Sequence, residues 1–290
     1  MSARPSPAAL AWRDAGRRLQ VGPHEVFVAS SIDAGTGTPV LALHGYPGSS
    51  FDLAGVLPHL GRPWLAPDLL GYGFSDKPLD ASYSLFEQAD LVEQVVAQTG
   101  VDRVVLLAHD MGTTVASELL ARQSEGRLGF VVEQVFLTNG SIFIDLAQLS
   151  RGQRLGLRIG PRVLPFPMPT PMLRRSLRES IAPGTAVSPA ALDDLVALIQ
   201  LGGGARVIVQ QLTYLLERRA HQPRFTAGLV DFPGPLTAIW GLLDPIAVPT
   251  MPRHLRYLRP ATEIVELDGV GHWPPIEAPE RVAAEIRARL

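Results

Sequence analysis

One stretch constrains the fold more than any other: Arg103-Val-Val-Leu-Leu-Ala-His-Asp110-Met-Gly-Thr-Thr-Val-Ala-Ser-Glu-Leu-Leu120. Val104 to Leu107 form a short apolar run, the pattern of a strand buried on both faces. Thr113 to Leu120 read as a helix, with Val115, Leu119 and Leu120 at helical spacing. Between them lies Ala108-His109-Asp110-Met111-Gly112, of the form small-x-Asp-x-small. A sharp strand-to-helix turn of this kind lifts its central side chain out at the top of a sheet. Ala108 and Gly112 are small because the turning backbone leaves little room beyond a Cβ. Taken alone, the five residues fit equally an exposed nucleophile and an ordinary Asp capping the next helix.

The rest of the chain supplies the context for that turn. Strands are expected at Arg17–Val21 and Glu25–Ser30, joined through Gly22-Pro23 as a hairpin. Further strands are expected at Pro39–His44, Trp64–Asp68, Val132–Thr138, Leu236–Trp240 and Thr262–Leu267. Ser84 and Glu87 read as a capping box for a helix over Leu85–Gln98, which Gly100 ends. Strands alternating with helices argue an α/β architecture: a mostly parallel central sheet with helices on both faces.

From Ser141 to about Phe225 the pattern changes. Pro161, Pro165, Pro167, Pro169 and Pro171 interrupt regular structure. Ser188-Pro189 opens a helix to Gln200, Gly202-Gly203-Gly204 stop it, and a second helix is expected from Ala205 to about Arg219. No buried strand reads clearly there. The expected organisation is a core of residues 1–140 and 226–290 with an inserted helical cap of 141–225. Such a cap would exclude water and shape a pocket.

Composition narrows the function. The chain has 290 residues, 46% hydrophobic and 19% charged, with a net charge of −2, which gives no electrostatic case for nucleic acid or an anionic membrane. There are no cysteines, so disulfides, thiolate catalysis and Cys-type zinc sites are excluded. No His/carboxylate cluster has metal-ligand spacing, and no metal or cofactor is expected. Neither a signal peptide nor a membrane span is read. The expectation is a soluble cytoplasmic enzyme, monomeric or homodimeric.

Three candidates follow expected strands in the order Asp110, Asp244, His272. Each therefore falls at the carboxyl edge of the sheet, where open parallel sheets place their sites. Together with His44-Gly45-Tyr46-Pro47, Leu243-Asp244-Pro245 and Gly271-His272, this order resembles the α/β-hydrolase superfamily, whose chain order is nucleophile, acid, histidine. The departure is an aspartate where that family most often has serine. It resembles the epoxide hydrolase and haloalkane dehalogenase branches, as does Gly71-Tyr-Gly-Phe-Ser-Asp-Lys-Pro78. Across most of the chain the nearest resemblance is to mesoderm-specific-transcript-like hydrolases, through Gly73-Phe-Ser-Asp-Lys-Pro78, Ser84-Leu-Phe-Glu-Gln-Ala89, Leu137-Thr-Asn139-Gly-Ser-Ile-Phe143 and the Leu-Asp-Pro turn.

The resemblance implies roles. Asp110 would attack carbon and form an ester, which His272, oriented by Asp244, would hydrolyse with water. The N–H groups of Tyr46 and Met111 would form the oxyanion hole. Dehalogenases usually carry a Trp after the nucleophile and often an Asn after the His-Gly pair; here Met111 and Tyr46 stand there. Epoxide hydrolases carry cap tyrosines, typically two. Tyr214 is the only tyrosine in this cap and has packing as its alternative reading. It lies off the apolar stripe of Ile208, Leu212, Leu215 and Leu216. His44, Asn139 and Trp273 are further candidates for contact with substrate, His44 reading also as support for its loop, while His109 reads as packing at the turn. The leading expectation is an epoxide hydrolase acting on a small apolar organic substrate, with water as co-substrate. The alternatives are a dehalogenase or other hydrolase with an Asp nucleophile, and a catalytically silent binding protein of the same fold.

Overall fold

A computed structural model describes residues 4–159, 168–185 and 187–290. Eight strands form one sheet: β1 (Arg17–Val21), β2 (His24–Ser30), β3 (Val40–Leu43), β4 (Trp64–Pro67), β5 (Arg103–His109), β6 (Val131–Thr138), β7 (Leu236–Gly241) and β8 (Glu263–Leu267). Their order across the sheet is β1-β2-β4-β3-β5-β6-β7-β8. The β1–β2 and β2–β4 pairs are antiparallel, and every pair from β4 onward is parallel. β5 is central: Leu107 lies beside Ala42 of β3 and Phe136 of β6. Val104 to His109 are all buried, which is why this strand shows no polar alternation.

Twelve helices are seen among the described residues. They are α1 (Pro7–Ala15), α2 (Leu85–Ala97), α3 (Gly112–Ser124), α4 (Arg151–Ile159), α5 (Thr170–Ser180), α6 (Pro189–Gln200), α7 (Gly204–Val207), α8 (Thr213–Ala220), α9 (Gln222–Val230), α10 (Thr250–Leu258), α11 (Pro274–Glu277) and α12 (Pro279–Arg287). Apolar side chains fill both sides of the sheet. Leu106, Val115, Val135 and Trp240 belong to one cluster, and Leu107, Phe136, Ile239 and Val282 to the other. No helix among the described residues is long and apolar enough to cross a membrane.

Between β6 and β7 the described residues hold helices α4 to α9 and no strand. α9 lies against α3 so closely that a Cβ on Gly228 would stand 2.1 Å from the Ser117 carbonyl oxygen. From Gln222 onward the chain thus packs directly on a helix of the core. Pro161, Pro165 and Pro167 lie outside the described residues. Pro169 and Pro171 do not break structure but open α5, at its N-cap and first turn, where a missing N–H costs nothing.

Three local expectations are corrected. Residues 205–219 do not form one helix; α7, a 3-10 turn at Gln210–Leu212 and α8 follow one another. Leu216, placed on the apolar stripe by a continuous helix, is 51% exposed. Ser84 caps α2 by accepting from the Phe86 N–H, but Glu87 does not complete a capping box. It accepts from the Ser82 hydroxyl, while Glu217 of α8 accepts from Ser84 Oγ and the Leu85 N–H. A carboxylate distant in sequence has taken the local one's place and ties α8 to α2.

Candidate active site

Asp110 sits between β5 and α3 with φ at 46°, a left-handed conformation that non-glycine residues rarely hold. The turn is held on all sides. The Asp110 N–H donates to the Thr138 carbonyl, and the Asp110 carbonyl accepts from the Thr113 N–H and hydroxyl. A Cβ on Gly112 would meet the Leu43 and His44 carbonyl oxygens at 2.6 Å, and one on Gly45 would meet Asp110 Cβ at 2.5 Å. Both glycines are therefore required by close approach. The outcome is a carboxylate, 3% exposed, at the carboxyl end of the central strand.

The loop after β3 supplies the facing donor. The Tyr46 N–H donates to Asp110 Oδ2 at 2.9 Å. Its hydroxyl donates to the Ile208 carbonyl, so Tyr46 joins the core to the inserted helices. Burial pushes the Asp110 carboxyl up; His272, the N–H groups of Met111 and Tyr46, and Arg218 oppose that rise.

His272 follows β8, and its Nδ1 donates to Asp244 Oδ2 at 2.8 Å. Its Nε2 stands 3.7 Å from Asp110 Oδ1. Asp244, in the turn after β7, accepts three further hydrogen bonds: from Asn139 Nδ2 on Oδ2, and from the Ile246 and Ala247 N–H groups on Oδ1. Burial would raise Asp244, but His272's charge and these donors outweigh it and hold the carboxyl low. Burial would lower His272, but Asp244 first and then Asp110 raise it to about 9. Asp110, His272 and Asp244 thus form one line of contacts across three strand ends.

Two of the candidates for contact with substrate have their polar atoms engaged by the scaffold, His44 in the loop support that is its other reading. His44 is fully buried; its Nε2 accepts from the Leu69 N–H, so Nδ1 carries the proton and donates to the Gly45 carbonyl. With both ring nitrogens engaged, it braces the loop that carries Tyr46. Asn139, at φ 31°, donates to Asp244 and the Gly241 carbonyl and accepts from the Gly241 N–H at 2.7 Å. It holds Asp244 in place and is not among the residues that line the cavity beside His272. His109 packs as expected at the turn: Nδ1 bonds Thr138, and burial lowers the ring to about 3.

A cavity of about 280 Å³ opens beside the His272 end. Tyr46, Leu177, Ile208, Pro245 and Trp273 are among its lining residues. Trp273 lines it with its indole N–H already donated to Ser180 Oγ at 2.8 Å. Tyr214 is 1% exposed, with its ring 5.6 Å from that of Tyr46. Its hydroxyl accepts from Gln153 Nε2 at 3.4 Å, and it is Gln153 that faces the cavity.

Several contributors escape inspection of the sequence. Glu277 accepts from the N–H groups of Gly271, Trp273 and Ala182, and the His272 N–H donates to the Ser180 carbonyl. Together they clamp the histidine loop to the end of α5. Arg218, buried on α8, is the cation nearest in effect to Asp110 after His272. The one legible signal for it was the spacing Tyr214-x-x-x-Arg218, which places both side chains on one helix face.

The model of the alpha/beta hydrolase family matches residues 40–285. LipZ of Mycobacterium tuberculosis is 42% identical over 279 residues, covering 96% of each chain. The mesoderm-specific transcript protein of Mus musculus is 33% identical over 286 residues, covering 94% of this chain and 85% of its own. Among solved structures, haloalkane dehalogenase DbeA from Bradyrhizobium elkani superposes with a TM-score of 0.75 at 21% identity, covering 94% of this chain and 96% of that one. The epoxide hydrolase CorEH does so with 0.69 at 21% identity, covering 93% and 96%. The breadth of the family match and these two relatives make the assignment plain: the chain belongs to the alpha/beta hydrolase family.

Proposed function

We propose that this hydrolase uses Asp110 as a nucleophile on carbon and converts small apolar epoxides to vicinal diols. The observation that carries the reading is a carboxylate at the strand-to-helix turn, faced by the Tyr46 N–H at 2.9 Å and by His272 Nε2 at 3.7 Å. A serine attacking sp³ carbon would leave an ether, which water does not cleave under these conditions. A carboxylate leaves an ester, which a histidine-activated water can hydrolyse.

In the first step Asp110 Oδ attacks an epoxide carbon and the C–O bond breaks. The electron pair goes to the leaving oxygen, which takes the Tyr214 proton. In the second, His272 Nε2 takes a proton from water, and the hydroxide adds to Asp110 Cγ. The Tyr46 and Met111 N–H groups hold the oxyanion. Collapse passes the added hydroxyl's proton to the departing oxygen and releases the diol and the Asp110 carboxylate, leaving His272 protonated as in the free site. Epoxide and water are consumed and nothing else.

The charge on Asp110 gives the histidine its timing. In the free site Asp244 and Asp110 both favour the imidazolium. Ester formation neutralises Asp110 and removes one of those supports, so the imidazolium gives its proton to the Tyr214 phenolate and His272 becomes a base at the stage that needs one. The helices between β6 and β7 serve as a cap over this chemistry, with Tyr46 and Glu217 as their ties to the core.

Halide as leaving group is less well served. A halide calls for N–H donors at the nucleophile. The Trp273 indole N–H is already given to Ser180, and Met111 offers a thioether that accepts from the Tyr72 hydroxyl at 3.4 Å. A panel of terminal epoxides and haloalkanes tests the reading: diol without halide release supports it. Halide release with no diol assigns the site to dehalogenation, and inertness on both leaves it a binding protein.

A further inference from the structure

Arg218 is 1% exposed, and its Nε and Nη1 have no hydrogen-bond partner among the described residues. A guanidinium out of water and without a carboxylate partner is destabilising, so something in the working site must compensate it. Its place on α8 says what. Four residues earlier on the same helix face is Tyr214, equally buried. The Tyr214 hydroxyl accepts from Gln153, and its own proton goes to no acceptor among the described residues. The Tyr214 ring lies against Tyr46, whose N–H holds Asp110. Two sets of unspent donors, a phenol and a guanidinium, therefore share one helix face, the phenol against the Tyr46 ring whose backbone holds Asp110.

Burial pulls the Arg218 guanidinium down to about 10, and the charges that support it are those of Tyr214 and then Asp110. Tyr214 itself is pushed well up by burial and by Asp110, with Arg218 opposing. On its own, a phenol so placed is a poor proton donor.

We infer that Tyr214 and Arg218 form one leaving-oxygen site, in which Tyr214 gives the proton and Arg218 is a positioning residue whose charge stabilises the phenolate left behind. The inference rests on the reading of Asp110 as the nucleophile. The bookkeeping is that of the first step above: the negative charge leaves Asp110, passes through the breaking C–O bond, and ends on Tyr214 Oη, beside Arg218. A fixed cation one helical turn from the end point, acting on it more strongly than on the start, favours the transition state over the ground state. It also accounts for a site with a single cap tyrosine, since the guanidinium supplies electrostatically what a second phenol would supply by hydrogen bonding. The leaving group it suits is a strongly basic oxyanion, the alkoxide of an unactivated alkyl epoxide.

The test compares Arg218→Met and Arg218→Lys with the parent, following Asp110 ester formation by quenched mass spectrometry. The probes are 1,2-epoxyhexane and 3,3,3-trifluoro-1,2-epoxypropane, whose alkoxide is less basic and needs less help. Arg218→Met should slow alkylation by epoxyhexane ~10–10²-fold and by the trifluoro epoxide much less, with Arg218→Lys recovering part of the loss. Its melting temperature should hold or rise, because an unpaired buried charge has been replaced by a packed apolar chain. Equal losses on both probes, a lower melting temperature with no rescue by Lys, or no loss at all would overturn the role given to Arg218. A parent that forms no ester with either epoxide overturns instead the reading of Asp110, and the inference falls with it.

Discussion

Asp110 and His272 face each other at 3.7 Å, Oδ1 to Nε2, too far for a hydrogen bond and close enough for each to set the other's charge. The sign of that coupling can be measured. His272 is raised to about 9, with Asp110 among the causes. Removing the Asp110 charge must therefore lower it. In Asp110→Asn the His272 imidazole, followed by NMR, should titrate below its parent value. An unchanged or higher value would mean that Asp244 alone sets the histidine.

Burial raises the Asp110 carboxyl, and attack requires the ionised form. The rate of ester formation should therefore fall at a pH above the ordinary carboxylate range, near 4, as pH is lowered. Arg218 opposes the rise, so Arg218→Met should move that acid limb to still higher pH. An acid limb at the ordinary value, unmoved by the substitution, would contradict the cause assigned here.

Asn139 should matter for both folding and rate. Asn139→Ala leaves the buried Gly241 N–H without its acceptor and Asp244 without a donor. One unsatisfied buried group costs ~1–3 kcal/mol, visible as a lower melting temperature. The loss in rate should fall on hydrolysis of the ester, the step that uses His272 and Asp244, and spare its formation. Equal loss in both steps would reduce Asn139 to a structural residue.

Tyr214→Phe removes only a hydroxyl from a buried ring, so the fold should survive. Loss of one donor acting on the transition state costs ~10²–10³ in rate, here in epoxide opening. If the variant opens epoxides at the parent rate, Tyr214 is packing.

The three residues of the central line were legible because each is fixed locally. Asp110, Asp244 and His272 follow apolar runs that end at one sheet edge, and glycines too cramped for a Cβ mark the turns. What was illegible depends on contacts distant in sequence. Asn139 is a polar residue beside the site whose partner, Gly241, could not be placed from sequence, so it reads as a binding residue; for His44 loop support was legible, its partner Leu69 was not. Glu217 displaced Glu87 at the start of α2 from 133 positions away. The segmentation of 205–219 escaped because its residues keep helical composition, and only the 3-10 turn at Gln210–Leu212 exposes Leu216. α1 went unread as well. Ser6 caps it, and the Ser6 N–H and hydroxyl both donate to Asp194 of α6, a tie that no local pattern announces.

The central claim is a covalent ester on Asp110, and one measurement reaches it directly. His272→Gln should still be alkylated, because attack by an ionised carboxylate needs no base. Hydrolysis of the ester loses its general base, worth ~10²–10⁴ in rate. After incubation with 1,2-epoxyhexane, acid quench and digestion, mass spectrometry should find the epoxide added to the peptide that carries Asp110, and no addition in the Asp110→Asn, His272→Gln double variant. No adduct on that peptide, while the parent converts the same epoxide to diol, would contradict the account.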